Sequence, residues 1–223
     1  MSPKRPLGKA RGEILGTRSR VRRLLNELGR VVITPRYKGI RWSSAVILLL
    51  LFVQLFTGVL LSLYYRPEPA AAHESMRFLV SSVPSGWLVR GMHHWAGDLL
   101  LVAVALHMTR VFMRRAYANP REFQWLVGVG LLLIVLAMRF TGSLLPWDGE
   151  GYAGALLGLK LVESVPLLGG LLAVWLRAGD VVGPDTLNRF FTTHALLLPW
   201  LVLALFGLHA VLVSRHGLSE DEP

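Results

Sequence analysis

Four stretches of the chain are so nearly free of charge, and so long, that each can cross a bilayer as a helix. The first covers 42–65, contains no charged residue and carries Trp42 and Tyr65 at its ends, where aromatic rings anchor a span at the interface. The second covers 91–113, the third 123–145 up to Pro146, and the fourth 190–214, where Pro199 predicts a kink. Ahead of them, Val21, Leu24, Leu25, Leu28 and Val32 share one side of a helix that is otherwise rich in arginine. That pattern predicts an amphipathic helix over 18–38 lying on an anionic membrane surface, preceded by a disordered basic leader over 1–17. The connection 146–189 is too long for a turn, and its apolar stretches around 156–162 and 166–176 predict two short interfacial helices. The four-helix module therefore occupies 39–219, followed by an acidic tail over 220–223.

Polar residues inside the spans recur at one interval. In the second span His93 and His107 are fourteen residues apart, close to four helical turns, which puts them on one face about 21 Å apart along the axis. The fourth span carries His194 and His209, fifteen apart, which brackets four turns from the other side. A single histidine in a membrane helix is more often a hydrogen-bonding group or proton relay than a ligand. Four at matching intervals on two spans instead form a frame for two stacked bis-histidine haems, since neutral imidazole ligates haem iron and an unsatisfied buried ring is costly. His94, about 100° around the helix from His93, falls outside the pattern. The first and third spans lack histidine but repeat the interval with small residues, Ser44 to Gly58 and Gly128 to Gly142, which suits either close approach of a flat macrocycle or ordinary small-residue packing.

Composition narrows the chemistry. The 223 residues contain no cysteine, which excludes disulfides, thiolate-held iron–sulfur clusters and thioether attachment, so any haem is held without a covalent bond to the chain. The net charge of +10 is concentrated at the start, where residues 1–41 hold twelve Lys or Arg against two acids. No aromatic or motif support for nucleic-acid binding accompanies it. Further basic residues, Arg114, Arg115 and Arg121 between the second and third spans and Arg215 after the fourth, lie on the same side as both termini. The excess of positive charge predicts that this side is cytoplasmic. Because the second and fourth spans then run parallel, His93 pairs with His194 on the outer side and His107 with His209 on the inner side.

The chain resembles cytochrome b of the bc-type quinol oxidoreductases, in particular the four-helix N-terminal module that forms a separate chain in plastoquinol–plastocyanin reductases. The resemblance runs from about Val31 to Ser219. It is carried by Val-Gln-Leu-Phe-Thr-Gly at 53–58, His-His-Trp at 93–95, Pro-Arg-Glu at 120–122, Gly-Ser-Leu-Leu-Pro-Trp-Asp at 142–148 and Arg-Phe-Phe-Thr-Thr-His at 189–194. The fifteen-residue interval in the fourth span resembles the split-chain type.

The resemblance implies two non-covalent b-type haems, the outer on His93 and His194 and the inner on His107 and His209. It also implies propionate contacts from Arg90 and Arg110, close approach at Gly58, Gly128 and Gly142, and an outer quinol pocket at Phe140, Tyr152 and Gly154. Trp42 occupies the region where some members carry a cysteine for an extra haem, so none is expected. Implied partners are a chain similar to subunit IV that carries the Pro-Glu-Trp-Tyr segment, a Rieske iron–sulfur protein and a c-type cytochrome, in a dimeric complex among membrane lipid. The implied activity is transfer of electrons from quinol at the outer face to quinone at the cytoplasmic face of a bacterial inner or thylakoid-like membrane, with proton translocation. The competing possibilities are the cytochrome b anchor of a membrane hydrogenase or formate dehydrogenase, and a non-redox membrane scaffold.

Two charges fall outside that family pattern, Asp98 in the second span and Arg139 in the third. Counted from Arg90 and from Pro146 they lie about 12 Å and about 11 Å from the outer ends of their helices. Matching depth predicts an interhelical ion pair, with pairing of Asp98 to His94, four residues earlier, as the alternative.

Overall fold

The computed structural model describes residues 38–216. The expected leader over 1–17, the acidic tail over 220–223 and all but the last residue of the surface helix over 18–38 lie outside them. The described residues are helical throughout their ordered elements: α1 (Lys38–Ser62), α2 (Ala72–Ser82), α3 (Gly86–Met113), α4 (Glu122–Ser143), α5 (Gly149–Glu163), α6 (Gly169–Arg177), α7 (Pro184–Thr192), a π-helical turn (Thr193–Leu197) and α8 (Leu198–His216). α1, α3, α4 and the continuous run from Pro184 to His216 are each long and apolar enough to cross a membrane. α1 packs chiefly on α3 and α4 chiefly on α8, and the two pairs meet along α3 and α4.

Three features differ from expectation. α3 begins at Gly86 rather than 91, and the connection before it holds α2, a helix that no long apolar run announces. The fourth span starts six residues early as α7, whose first residue is Pro184, a position where the missing N–H costs nothing. In place of a simple proline kink there is a π turn over Thr193–Leu197, just before Pro199. Proline lacks an N–H and its ring crowds the carbonyl four residues back, here Ala195, so widening the preceding turn relieves both.

The two helices expected between the third and fourth spans are α5 and α6. The Leu-Pro-Trp-Asp motif makes the elbow that leads into them. Pro146 follows the last turn of α4, Trp147 turns in the left-handed region with φ 51°, and the Asp148 carboxylate accepts the Gly151 N–H at 2.8 Å as the N-cap of α5. Here the chain is best packed: Leu144, Ala155, Leu159, Ala173, Leu187 and Phe190 form one buried cluster that ties α5, α6 and α7 to the C-terminal end of α4. Tyr65 closes it from just beyond α1, its hydroxyl donating to the Leu145 carbonyl at 2.6 Å.

Phe190 is fully buried at the centre of this cap, edge-on to Phe140 at 5.3 Å. Phe190→Ala is expected to destabilise the cap by roughly 3–5 kcal/mol, through lost burial and the cavity left behind. A melting curve of the detergent-purified protein that does not move to lower temperature would show that the cap contributes little to stability.

Candidate functional site

The π turn gives His194 its place. A π turn holds one residue more than an α turn, so the fifteen-residue step from His194 to His209 includes one residue that adds no helical phase. What remains matches the fourteen-residue step of His93 to His107. The unequal intervals in the sequence thus correspond to the same number of turns.

His93 of α3 and His194 of the π turn face each other with ring centroids 6.2 Å apart and planes at 76°. Their hydrogen bonds fix the tautomers. The Thr57 hydroxyl donates to the Val53 carbonyl of its own helix at 2.5 Å, so its oxygen is left to accept, and His93 Nδ1 lies 2.9 Å from it. The same arrangement recurs on α4. Thr141 donates to the Ala137 carbonyl at 2.8 Å, and His194 Nδ1 lies 3.2 Å from the Thr141 oxygen and 3.0 Å from the Met138 carbonyl. A carbonyl can only accept, so Nδ1 of His194 carries the proton. In both rings the proton sits on Nδ1 and the lone pair on Nε2, the form in which imidazole binds a metal while donating to a neighbour. Gln54 adds a clamp on the main chain, donating to the His93 carbonyl at 2.6 Å.

Glycine follows each threonine for a steric reason. A Cβ on Gly58 would lie 3.2 Å from His93 Cε1, and one on Gly142 would lie 2.8 Å from His194 Cε1, so a larger residue would push the ring away. The small residues expected to admit a flat macrocycle are here in contact with the imidazoles themselves.

The second pair, His107 and His209, is held less symmetrically. His107 Nδ1 lies 3.2 Å from the Ser43 hydroxyl. His209 Nδ1 is buried against the Gln124 main chain without a well-formed hydrogen bond. A Cβ on Gly128 would approach Met108 Sδ at 3.3 Å and His209 Cε1 at 3.7 Å. Arg110, partly buried, lies three residues after His107, and Arg90, exposed, three residues before His93.

Phe140, Tyr152 and Gly154 are distributed over the α4–α5 elbow. Phe140 packs into the cap against Phe190 and the backbone of Gly158, Gly154 faces the Ser143 hydroxyl, and Tyr152 lies exposed and edge-on to Trp147 at 6.3 Å.

Residues 33–217 match the cytochrome b family, described as Cytochrome b/b6/petB. The chain belongs to the cytochrome b/b6 family. It is 41% identical over 169 residues to the menaquinol:cytochrome c reductase cytochrome b subunit of Geobacillus thermodenitrificans, a match covering 75% of each chain. It is 31% identical over 202 residues to cytochrome b6 of Gloeobacter violaceus, covering 91% of this chain and 94% of that one. A hyperthermophilic respiratory Complex III superposes with TM-score 0.78 and 27% identity over 92% of this chain, which spans 55% of the matched chain there. Four apolar spans in a cytochrome b make this an integral membrane protein, and the family binds b-type haem.

The donor set suits that cofactor. His93 and His194 face each other with Nε2 lone pairs free, His107 and His209 offer two further imidazoles, and glycines on the flanking helices leave no side chain in the way.

Both contacts anticipated for Asp98 are present. Arg139 Nε lies 2.5 Å from Asp98 Oδ1, a charge-assisted hydrogen bond from α4 to α3, while His94 Nε2 lies 3.7 Å from Oδ2, too far for a hydrogen bond. The interhelical pair is therefore the stronger of the two. In a double-mutant cycle on thermal stability, Asp98→Asn combined with Arg139→Gln is expected to lose no more than the worse single variant. Additive losses would show that the two side chains act independently.

Proposed function

We propose that the chain is the di-haem electron-transfer subunit of a bc-type quinol–cytochrome c (or plastocyanin-like) reductase, carrying electrons from quinol at the outer face to quinone at the cytoplasmic face. The observation that carries this is the pair of imidazole rungs at equal helical phase, in a chain whose relatives include a menaquinol:cytochrome c reductase subunit and cytochrome b6. His93 and His194 hold the outer haem and His107 and His209 the inner one. Bound between these imidazoles, haem supplies reversible one-electron chemistry at iron.

The chain's own residues do the rest. Thr57, Thr141 and Ser43 orient the rings, Gln54 holds α3 to α1 beside the outer rung, and Arg90 and Arg110 stand near the two levels as cations for propionates. Phe140, Tyr152 and Gly154 contribute to an outer quinol pocket on the α4–α5 elbow, which a Pro-Glu-Trp-Tyr segment similar to that of subunit IV completes. A Rieske protein, a c-type cytochrome and dimerisation complete the assembly. The termini face the cytoplasm, on the side with the basic loops, so protons are released outside and taken up inside.

His93→Ala or His194→Ala is expected to remove the outer haem, leaving roughly half of the bound haem and one low-spin b-type band. His94→Ala should retain both bands, because that ring points away from the rung toward Asp98. Optical spectra of the purified variants decide this, and two intact bands in either of the first variants would overturn the rung assignment.

A further inference from the structure

Between α6 and α7 the helices leave an open cavity of about 510 Å³, lined by Trp175, Ala178, Asp185, Asn188, Arg189 and Thr192. The last four are spaced three and four apart and so stand on one face of α7. Arg189 is fixed from the α6 side. Its Nη1 donates to the Trp175 carbonyl at 2.8 Å and its guanidinium lies over the Trp175 ring at 5.5 Å, which leaves its other N–H groups for an acceptor in the cavity. Asp185, Asn188 and Thr192 make no side-chain hydrogen bond or ion pair among the described residues. Asp185 and Arg189 are thus opposite charges one turn apart, roughly 5–6 Å between Cβ atoms, that do not bond each other. The run from Pro184 to His216 has 33 residues, where about 20 cross a hydrocarbon core. Its polar ends, Asp185 to Arg189 at one and Arg215 and His216 at the other, therefore stand at the level of lipid headgroups. Within two turns of Thr192, Leu196, Leu197 and Trp200 follow, all exposed and apolar.

We propose that this cavity between α6 and α7 is a binding site for one zwitterionic phospholipid with a primary ammonium, a phosphatidylethanolamine. The phosphate lies on the Arg189 guanidinium, in a charge-assisted hydrogen bond to the N–H groups that Trp175 leaves unused. Two carbons further on, the ammonium reaches the Asp185 carboxylate, with the Asn188 and Thr192 oxygens as further acceptors. One acyl chain then runs down the exposed Leu196, Leu197 and Trp200. A lipid with a net negative headgroup leaves Asp185 facing anionic oxygens, and a choline headgroup has no N–H to give it, so both fit less well. The site takes no part in the haem ligation proposed above and does not depend on it.

The test is native mass spectrometry of the full-length holoprotein, taken from nanodiscs that hold equal parts of phosphatidylethanolamine, phosphatidylcholine and phosphatidylglycerol. The parent protein is expected to retain one phosphatidylethanolamine in preference to the other two. Loss of a charged hydrogen bond in Arg189→Gln should weaken retention of all three lipids by roughly tenfold or more. Asp185→Asn should abolish the preference for ethanolamine over choline while phosphate binding persists. If Arg189→Gln fails to fold for want of its bond to Trp175, Asp185→Asn and Thr192→Val still decide, because neither side chain bonds to the rest of the protein. Equal retention of the three lipids by the parent, or an unchanged preference in Asp185→Asn, would overturn the proposal. Competition by free phosphoethanolamine at the concentration at which the lipid competes would also overturn it, by showing a site for a soluble anion. So would retention by the isolated chain that is absent from the assembled complex, which would assign the cavity to a partner chain.

Discussion

An imidazole inside an apolar helix bundle is costly when a ring nitrogen goes unsatisfied, and most of this fold can be understood from how that cost is limited. On the outer rung one nitrogen is directed to a fixed acceptor on the neighbouring helix, which leaves the other free to ligate iron. The acceptor has to be uncharged, short and unable to donate in return. A threonine that has already given its proton to its own helix meets all three conditions. The ring must then lie against the helix that carries the threonine, which is why the next residue is glycine in both copies. A bundle built as two helix pairs, α1 with α3 and α4 with α8, follows directly. Each histidine helix packs chiefly on the helix that satisfies its outer ring.

The π turn is the second consequence. His194 must meet both the Thr141 oxygen and the Met138 carbonyl, while His209, on the same run, must arrive four turns later at the other level. Pro199 between them precludes a regular helix. Widening the turn at Thr193–Leu197 accommodates the proline and absorbs the odd residue of the fifteen at once. A distortion that would weaken an ordinary helix thus restores the phase that the rungs require.

Much of this is legible in the chain. Four spans show because apolar runs of that length, almost free of charge, are what a bilayer demands and a soluble core does not. The histidines show because a polar ring in such a run has to be satisfied by something. Asp98 and Arg139 can be matched by depth alone, since helical rise converts residue number into distance. Other features leave weaker traces. α2 is short and of mixed polarity, so no periodic run marks it; the early start of α3 goes with Gly86 lying against the Leu79 carbonyl of α2, and that of α7 with the cap that packs around it. The threonines stay hidden as long as small residues are weighed only for the room they leave, although the repeated Phe-Thr-Gly is visible in the sequence and needs only the question of where each Nδ1 proton goes. The π turn has no signature in sequence: fifteen residues are equally compatible with slight misalignment, and tertiary hydrogen bonds choose between the two.

The two helix pairs still have to be held at one height, or the outer imidazoles would not meet. Apolar packing along α3 and α4 resists sliding only weakly, because a ridge can shift by a turn into an equivalent groove. Polar links do not tolerate such a shift. Tyr65 donating to the Leu145 carbonyl ties the end of the first span to the C-terminal end of α4, and Arg139 to Asp98 ties α4 to α3 deeper in the span. A shift of one turn, about 5.4 Å, would break both and leave a carboxylate and a guanidinium apart in an apolar setting. Inside a span the penalty for separating the charges is far larger than the net gain from pairing them, so the pair specifies register more than it adds stability. With both links made, His93 and His194 face each other at 6.2 Å from helices belonging to different pairs. Asp98 and Arg139 thus secure the geometry on which the His93–His194 rung depends.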